Sequence, residues 1–149
     1  MKLNLIGMAL ILFMIQACSN QRISEDKVPS VVLNAVKEKF PGTNKVEWEK
    51  KDQLYEAEFQ LNDSTDISLL INATGITEMK KQDLPMSAMP GPILQTINSQ
   101  YKEYTIDDIE MLEKNGMMFY QVELEGPGKD LNLVFSANGK EDKTIAYWD

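Results

Sequence analysis

Acidic side chains are the candidates for catalysis in this sequence. Three groups of neighbouring carboxylates occur: Glu56 with Glu58, Glu123 with Glu125, and Asp107 and Asp108 with Glu110. A pair of carboxylates can act as general acid and general base. However, residues i and i+2 of a strand share one face, and this pattern is typical of a solvated sheet surface. We therefore predict no catalytic residues among them.

The amino-acid composition excludes most other kinds of catalytic site. The chain has no His, which excludes Ser–His–Asp and Cys–His catalysis as well as His-ligated zinc. It also has no P-loop and no GxGxxG motif, and Gly126-Pro127-Gly128 predicts a hairpin turn rather than a phosphate-binding loop. The sequence predicts a protein that is not an enzyme and has no cofactor.

Two features could bind metal ions. Asp63 and Asp66 flank a short polar turn and are candidate Ca²⁺ ligands, but the turn lacks the EF-hand spacing. Thioethers suit Cu(I), although methionine more often fills gaps in a core. The candidate thioethers are Met79, Met86, Met89, Met111, Met117 and Met118. We predict no metal site from either feature.

The N-terminus indicates export. Lys2 precedes an apolar run over residues 3–15, which is too short to span a bilayer but suits a signal peptide. Residues 15–18 read Ile-Gln-Ala-Cys and resemble the bacterial lipobox, which implies cleavage before Cys18 and lipid attachment to its thiol. The alternative is an ordinary secretory signal with an incidental cysteine. We expect the cell envelope, with the lipid of the acylated form in the inner or outer membrane and the protein facing the periplasm.

The charge balance restricts the partners. Removal of the signal peptide, residues 1–17, would leave 132 residues with 14 basic and 23 acidic side chains. This acidity argues against nucleic acid and against a membrane-surface helix, so membrane contact would come from the lipid anchor only. With Cys18 acylated, no thiol remains for a disulfide. Polar residues 18–27 predict a tether.

An internal repeat defines the architecture. Residues 67–76 and 131–140 align position for position as an apolar strand followed by a turn that ends in Gly. Helix-period apolar residues predict helices near 29–40 and 90–101. We predict an α+β fold of two tandem repeats, 28–84 and 85–149, each with one helix and an antiparallel sheet. The helices would pack on one face of sheets that join or abut, in one compact domain.

These segments resemble a known family. The paired helix segments, Val28-Pro29 to Phe40-Pro41-Gly42 and Met89-Pro90 to Tyr101, and the paired strand–turn segments Ile67–Gly75 and Leu131–Gly139 resemble the beta-lactamase-inhibitor-like, PepSY-like domain proteins. These are small secreted or lipid-anchored bacterial proteins, and the resemblance covers about 28–143. It implies tandem helix-plus-sheet repeats similar to the beta-lactamase inhibitor protein. It implies neither that inhibitory activity nor an enzymatic one.

Four apolar residues interrupt the strand alternation. Leu70, Phe119, Val134 and Trp148 are predicted to point away from the helices, on a sheet face otherwise rich in Glu and left to solvent. An exposed apolar patch often marks a partner site, although scattered exposed apolar residues are also normal.

Our leading hypothesis is therefore a non-catalytic, lipid-anchored module that binds an unknown protein or peptide through this sheet face, in an inhibitor-like manner. The alternative is an envelope sensor for Ca²⁺ or a small molecule, which would use the acidic turns.

Overall fold

The computed structural model describes residues 21–62 and 64–149, so the signal peptide, Cys18 and Asp63 lie outside the described residues. Two α-helices and eight β-strands form the fold. The helices are α1 (Ser30–Lys39) and α2 (Gly91–Gln100). The strands are β1 (Gln21–Ile23), β2 (Glu47–Lys51), β3 (Leu54–Leu61), β4 (Thr65–Asn72), β5 (Thr77–Asp83), β6 (Thr105–Lys114), β7 (Met117–Glu125) and β8 (Leu131–Ser136).

All eight strands belong to one antiparallel sheet, in which each strand pairs with its neighbour in sequence. The two halves meet where β5 pairs with β6, from Met79 opposite Lys114 to Asp83 opposite Glu110. The halves therefore share a single continuous sheet, and neither half has to bury its face alone.

Each helix contributes one apolar stripe to a buried cluster. Val32 and Val36 of α1 are one helical turn apart and lie with Trp48, Ala57 and other strand residues in the first cluster. Ile93 and Ile97 of α2 have the same spacing and lie with Ile109, Val122 and Phe135 in the second. The strand residues of both clusters define what we call the inner face of the sheet.

The glycine that ends each repeated strand–turn segment is needed for two physical reasons. Gly75 and Gly139 have φ angles of +86° and +83°, a region that residues with a Cβ rarely adopt. Both also approach a helix start closely. A Cβ on Gly75 would lie 3.0 Å from the Val31 carbonyl oxygen, and one on Gly139 would lie 2.4 Å from that of Pro92. The repeated turn thus sets the distance between sheet and helix.

Two features of the chain ends were not expected from the sequence. Within the predicted tether 18–27, Gln21–Ile23 pairs with β2 and Glu25–Lys27 forms a short 3₁₀ helix. The segment 142–149 contains no β-strand. After the Gly139 turn, Asp142 donates a backbone hydrogen bond of 2.7 Å to Val134. The chain then leaves the sheet and lies against the face opposite the two clusters, and we call residues 142–149 the strap.

The glycine argument predicts a difference between two substitutions. Gly42 also has a positive φ, +88°, but a Cβ there meets no atom within 4 Å. Gly42→Ala should lower the free energy of unfolding by about 1 kcal/mol, the cost of the left-handed backbone. Gly139→Ala should cost roughly 1–3 kcal/mol more, because the Cβ also collides with backbone. Urea unfolding of both variants measures this, and equal losses would contradict it.

Candidate functional site

The outer face of the sheet, opposite the two inner-face clusters, is the candidate site. Strand register places Glu56 opposite Leu70, and Leu70 opposite Met79. On the other half, Leu112 lies opposite Phe119 and Glu110 opposite Gln121. Because side chains alternate along each strand, these residues all point to the outer face. It is a mixed surface of apolar, acidic and basic side chains.

The structure brings the four predicted patch residues together but does not expose them. Leu70, Phe119, Val134 and Trp148 are 9%, 7%, 4% and 7% exposed and form one buried cluster with Leu112. The prediction that they face solvent is wrong, because Ile145, Tyr147 and Trp148 of the strap pack over this part of the sheet. Strand alternation places Leu70, Phe119 and Val134 on the correct face of the sheet, whereas Trp148 lies on no strand and belongs to the covering segment, which the sequence does not predict.

Gln121 connects the sheet to the strap. Its side chain is completely buried, and its Oε1 accepts a hydrogen bond of 2.7 Å from the Trp148 backbone N–H. Its Nε2 donates to the Trp148 carbonyl oxygen at 3.0 Å and to Glu110 Oε2 at 2.7 Å. One amide group therefore binds both backbone polar groups of a single strap residue.

The Trp148 indole reaches a second buried group. Its Nε1 donates to Glu56 Oε1 at 2.6 Å, and the Lys51 ammonium lies 2.7 Å from Glu56 Oε2. Glu56 is only 1% exposed. Since a buried carboxylate is costly without partners, the indole and the ammonium together make this burial tolerable.

Lys81 is the central cation of the outer face. Its Nζ lies 2.8 Å from Glu110 Oε1 and donates to the Trp148 carbonyl oxygen at 3.0 Å. It also lies 5.3 Å from the Trp148 ring centroid, a distance compatible with a cation–π contact. Lys81 thus belongs both to the strap contact and to the open surface beside it.

Beside the strap lies an open cavity with a volume of about 890 Å³, whose wall contains outer-face residues together with Phe59 and Ile67 of the inner-face cluster. Its wall runs from the loop 41–45 across β2, β3, β4 and β5 to β6. The carboxylates in the wall are Glu47, Glu58, Asp66, Asp83 and Glu110, and the cations are Lys45 and Lys81. Acidic groups therefore outnumber basic ones here, and Lys81 already has Glu110 as a partner.

The surroundings of two cavity carboxylates, Glu58 and Asp83, disfavour their ionised forms. Burial, followed by the charges of Glu56 and Glu49, raises the pKa of Glu58. Burial also raises the pKa of Asp83, with further contributions from Asp66, Asp108 and Glu110. Both carboxylates would be relieved by a positive charge from outside.

The remaining acidic candidates are placed differently. Glu123 lies on β7, outside the cavity wall. Its pKa is raised by burial and then by the charges of Asp107, Asp130 and Asp108. Asp66 lies in the cavity wall, whereas its predicted Ca²⁺ partner Asp63 is outside the described residues. Within residues 21–62 and 64–149, no three carboxylates are placed to hold a metal ion.

Sequence reasoning missed the residues that organise this face. Neither Gln121 nor Lys81 stands out in the sequence, because both are ordinary residues for a surface strand. Their roles depend on the strap, whose position has no periodic signal. The one available sign was the apolar interruption of the outer-face pattern at Leu70 and Val134, which marks a covered surface.

A single antiparallel sheet with two helices and a duplicated strand–turn unit defines a class of small two-repeat α+β proteins, and comparisons with known proteins agree. A model of the family described as "Putative beta-lactamase-inhibitor-like, PepSY-like" matches residues 13–76 and 75–141. The chain therefore belongs to this PepSY-like family, and the resemblance noted in the sequence is confirmed. Comparison with curated proteins gives no match.

Solved structures from Bacteroides share the fold. A BLIP-like protein from Bacteroides fragilis is 24% identical, with a TM-score of 0.64 over 76% of this chain and 82% of that one. A DUF2874 family protein from Bacteroides uniformis is 18% identical, with a TM-score of 0.70 over 76% and 85%. A protein from Bacteroides eggerthii described as putative periplasmic is 15% identical, with a TM-score of 0.71 over 76% and 85%.

None of the described helices is both long and apolar enough to cross a membrane.

The indole contact predicts different costs for two tryptophan substitutions. Trp148→Phe should lower the free energy of unfolding by about 1–3 kcal/mol more than Trp48→Phe. Both changes shorten a buried ring, but only the first removes a hydrogen bond from buried Glu56. Nε1 of Trp48 is buried without a hydrogen-bond partner, so it has none to lose. Chemical denaturation of both variants measures the difference, and equal losses would refute the contribution of the Glu56 contact.

The raised pKa of Glu58 predicts a pH-dependent gain in stability. The surroundings of Glu58 in the folded state raise its pKa and so disfavour the carboxylate, which means that Glu58→Gln should raise the unfolding midpoint at neutral pH. The gain should shrink as the pH falls through the raised pKa of the folded state and vanish below the ordinary Glu pKa of about 4, because the carboxylate is then no longer the favoured form in the unfolded chain either. Glu38→Gln on α1 removes the same charge from an exposed site and serves as control. A Glu58→Gln gain that persists unchanged at low pH would contradict this.

Proposed function

We propose that this protein is a non-catalytic binding module of the cell envelope that captures a protein partner through its outer sheet face. The cavity beside the strap receives a Lys- or Arg-bearing segment of that partner. The observation that carries the proposal is the excess of carboxylates in the cavity wall. Glu58 and Asp83 both have raised pKa values there.

The charge and the shape of the cavity both support the binding of a cationic partner segment. Lys81, one of two cations in the wall, forms an ion pair with Glu110. Its charge, together with that of Lys51, only partly offsets the burial and like charges that raise the pKa of Glu58. A guanidinium or ammonium group that enters the cavity would stabilise the ionised forms of Glu58 and Asp83. The cavity is open along one side, which suits a segment of a larger molecule.

Family and sequence support the location and the absence of catalysis. The family description is inhibitor-like, and one structural relative is described as a putative periplasmic protein. The Ile-Gln-Ala-Cys sequence at residues 15–18 supports a lipid anchor at Cys18. A lipid anchor would hold the protein at the membrane, where other envelope proteins can reach it.

A second candidate function uses the same cavity. A volume of about 890 Å³ lies within the range of small-molecule sites. A small polycationic molecule would satisfy the same carboxylates, and the protein would then be an envelope sensor. Calcium belongs to this alternative through Asp66 and the undescribed Asp63.

The proposal predicts the effect of removing two cavity charges. Glu58→Gln combined with Asp83→Asn should weaken the binding of a hexalysine peptide at least tenfold, because both carboxylates face the bound cations. The matched control is Glu38→Gln with Glu113→Gln, which removes the same net charge from two exposed positions. It should weaken binding less than twofold. Fluorescence anisotropy of a labelled peptide measures both affinities.

Three outcomes separate the candidates. Equal loss in both double variants would mean that the peptide senses only the net charge, and the cavity proposal would fail. A thermal-shift screen that shows stabilisation by spermine or Ca²⁺ but none by hexalysine would favour the sensor. If the protein is a binding module, affinity capture from solubilised envelope should recover a partner with a basic segment. That partner should be lost with the cavity double variant and retained with the control.

A further inference from the structure

The contact between the strap and the outer face is made by polar side chains that are rarely buried in a sheet. Gln121 and Glu56 are 0% and 1% exposed, and the strap supplies partners to both. Lys51 and Lys81 add bonds to the carbonyl oxygens of Asp149 and Trp148. Five hydrogen bonds thus join the outer face to two consecutive strap residues, and three of the five involve backbone carbonyl oxygens.

These bonds have the chemistry of peptide recognition. Gln121 binds the N–H and the C=O of one residue, which recognises an extended backbone whatever its side chain. Specificity comes from the neighbouring pocket, where Leu70, Leu112, Phe119 and Val134 surround an indole that also donates to Glu56. The site therefore selects an extended segment that carries a Trp side chain.

The strap is held less firmly than the strands. It contains no β-strand, and Lys143, Thr144, Ala146 and Asp149 are exposed. Its contacts with the sheet are concentrated at Trp148, with Ile145 and Tyr147 beside it. A segment with few buried contacts and no strand pairing opens at lower free energy than the sheet that supports it.

We propose that the strap is a displaceable internal ligand, and that the outer face beneath it is a binding site for an extended, Trp-bearing peptide segment of another protein. The strap occupies this site in the free protein and limits access to it. This site adjoins the acidic cavity and shares Lys81 and Glu110 with it. Its recognition groups, Gln121, Glu56 and the apolar cluster under the indole, do not line the cavity, so the inference does not depend on the function proposed above.

The occupant is a partner segment rather than the strap of a second copy. Exchange of straps would bring two outer faces together, and both carry the carboxylates of the cavity wall. Like charges that face each other across an interface are unfavourable. A partner segment with the indole and without the acidic face avoids this repulsion.

A peptide with the strap sequence tests the proposal in the full chain. The probe is a fluorescein-labelled octapeptide, Asp-Lys-Thr-Ile-Ala-Tyr-Trp-Asp, and the receptor is the Trp148→Ala variant, whose own strap lacks the indole. The variant should bind the probe at least tenfold more tightly than the wild-type chain does. A probe with Ala in place of Trp should bind the variant at least tenfold more weakly than the parent probe.

Two further variants locate the site. Gln121→Leu in the Trp148→Ala background should abolish probe binding, because it removes both backbone contacts. Ile76→Ala, at an exposed turn position, should change nothing. A folded Trp148→Ala variant that fails to bind the probe, or binds the Trp-free probe equally, would show that the strap is a fixed part of the core. A wild-type dimer in sedimentation that is lost in Trp148→Ala would assign the site to a second copy and overturn the proposal.

Hydrogen exchange of the wild-type chain tests displacement without any variant. The Trp148 amide, bonded to Gln121, should exchange at least tenfold faster than the amide of buried Val122 on β7. Equal exchange rates would mean that the strap opens only on global unfolding, which would overturn the proposal even if Trp148→Ala does not fold.

Discussion

The structure depends on the hydrogen bonds between Gln121 and Trp148, because they decide what covers the outer face. A sheet with helices on one side needs only one apolar face. Here Leu70, Leu112 and Val134 also require burial, and the buried amide of Gln121 requires polar partners. The strap satisfies both needs, since it brings an indole to the apolar groups and a backbone N–H and C=O to the amide. The strap also supplies a hydrogen-bond partner to buried Glu56 and to half-buried Lys81.

The inner face shows how far local pattern determines a fold. The spacing of Val32 and Val36, repeated by Ile93 and Ile97, was sufficient to predict both helices. The turns at Gly75 and Gly139 were equally visible, because a positive φ has a strong residue preference. The repeat also predicted that the halves would cooperate, and pairing of β5 with β6 is how they do so.

The outer face could be predicted only in part, for a physical reason. Alternation determines to which side a strand residue points, and it placed Leu70, Phe119 and Val134 correctly. Alternation does not determine what lies above that side. The strap has no strand or helix period, and its position comes from long-range contacts such as the one between Trp148 and Glu56, which are 92 residues apart. Buried polar groups such as Gln121 look like surface residues until their partner is known.

The path of the chain after the second Gly turn differs from its path after the first. After Gly75 the chain returns to the sheet as β5 and so prepares an edge for the next repeat. After Gly139 the corresponding segment makes one bridge, Phe135 with Glu141, and then leaves the sheet. Among the described residues, β8 is therefore the last strand of the sheet. The second half gives up the strand that β5 supplies to the first half, and the chain freed in this way is the strap that covers the outer face.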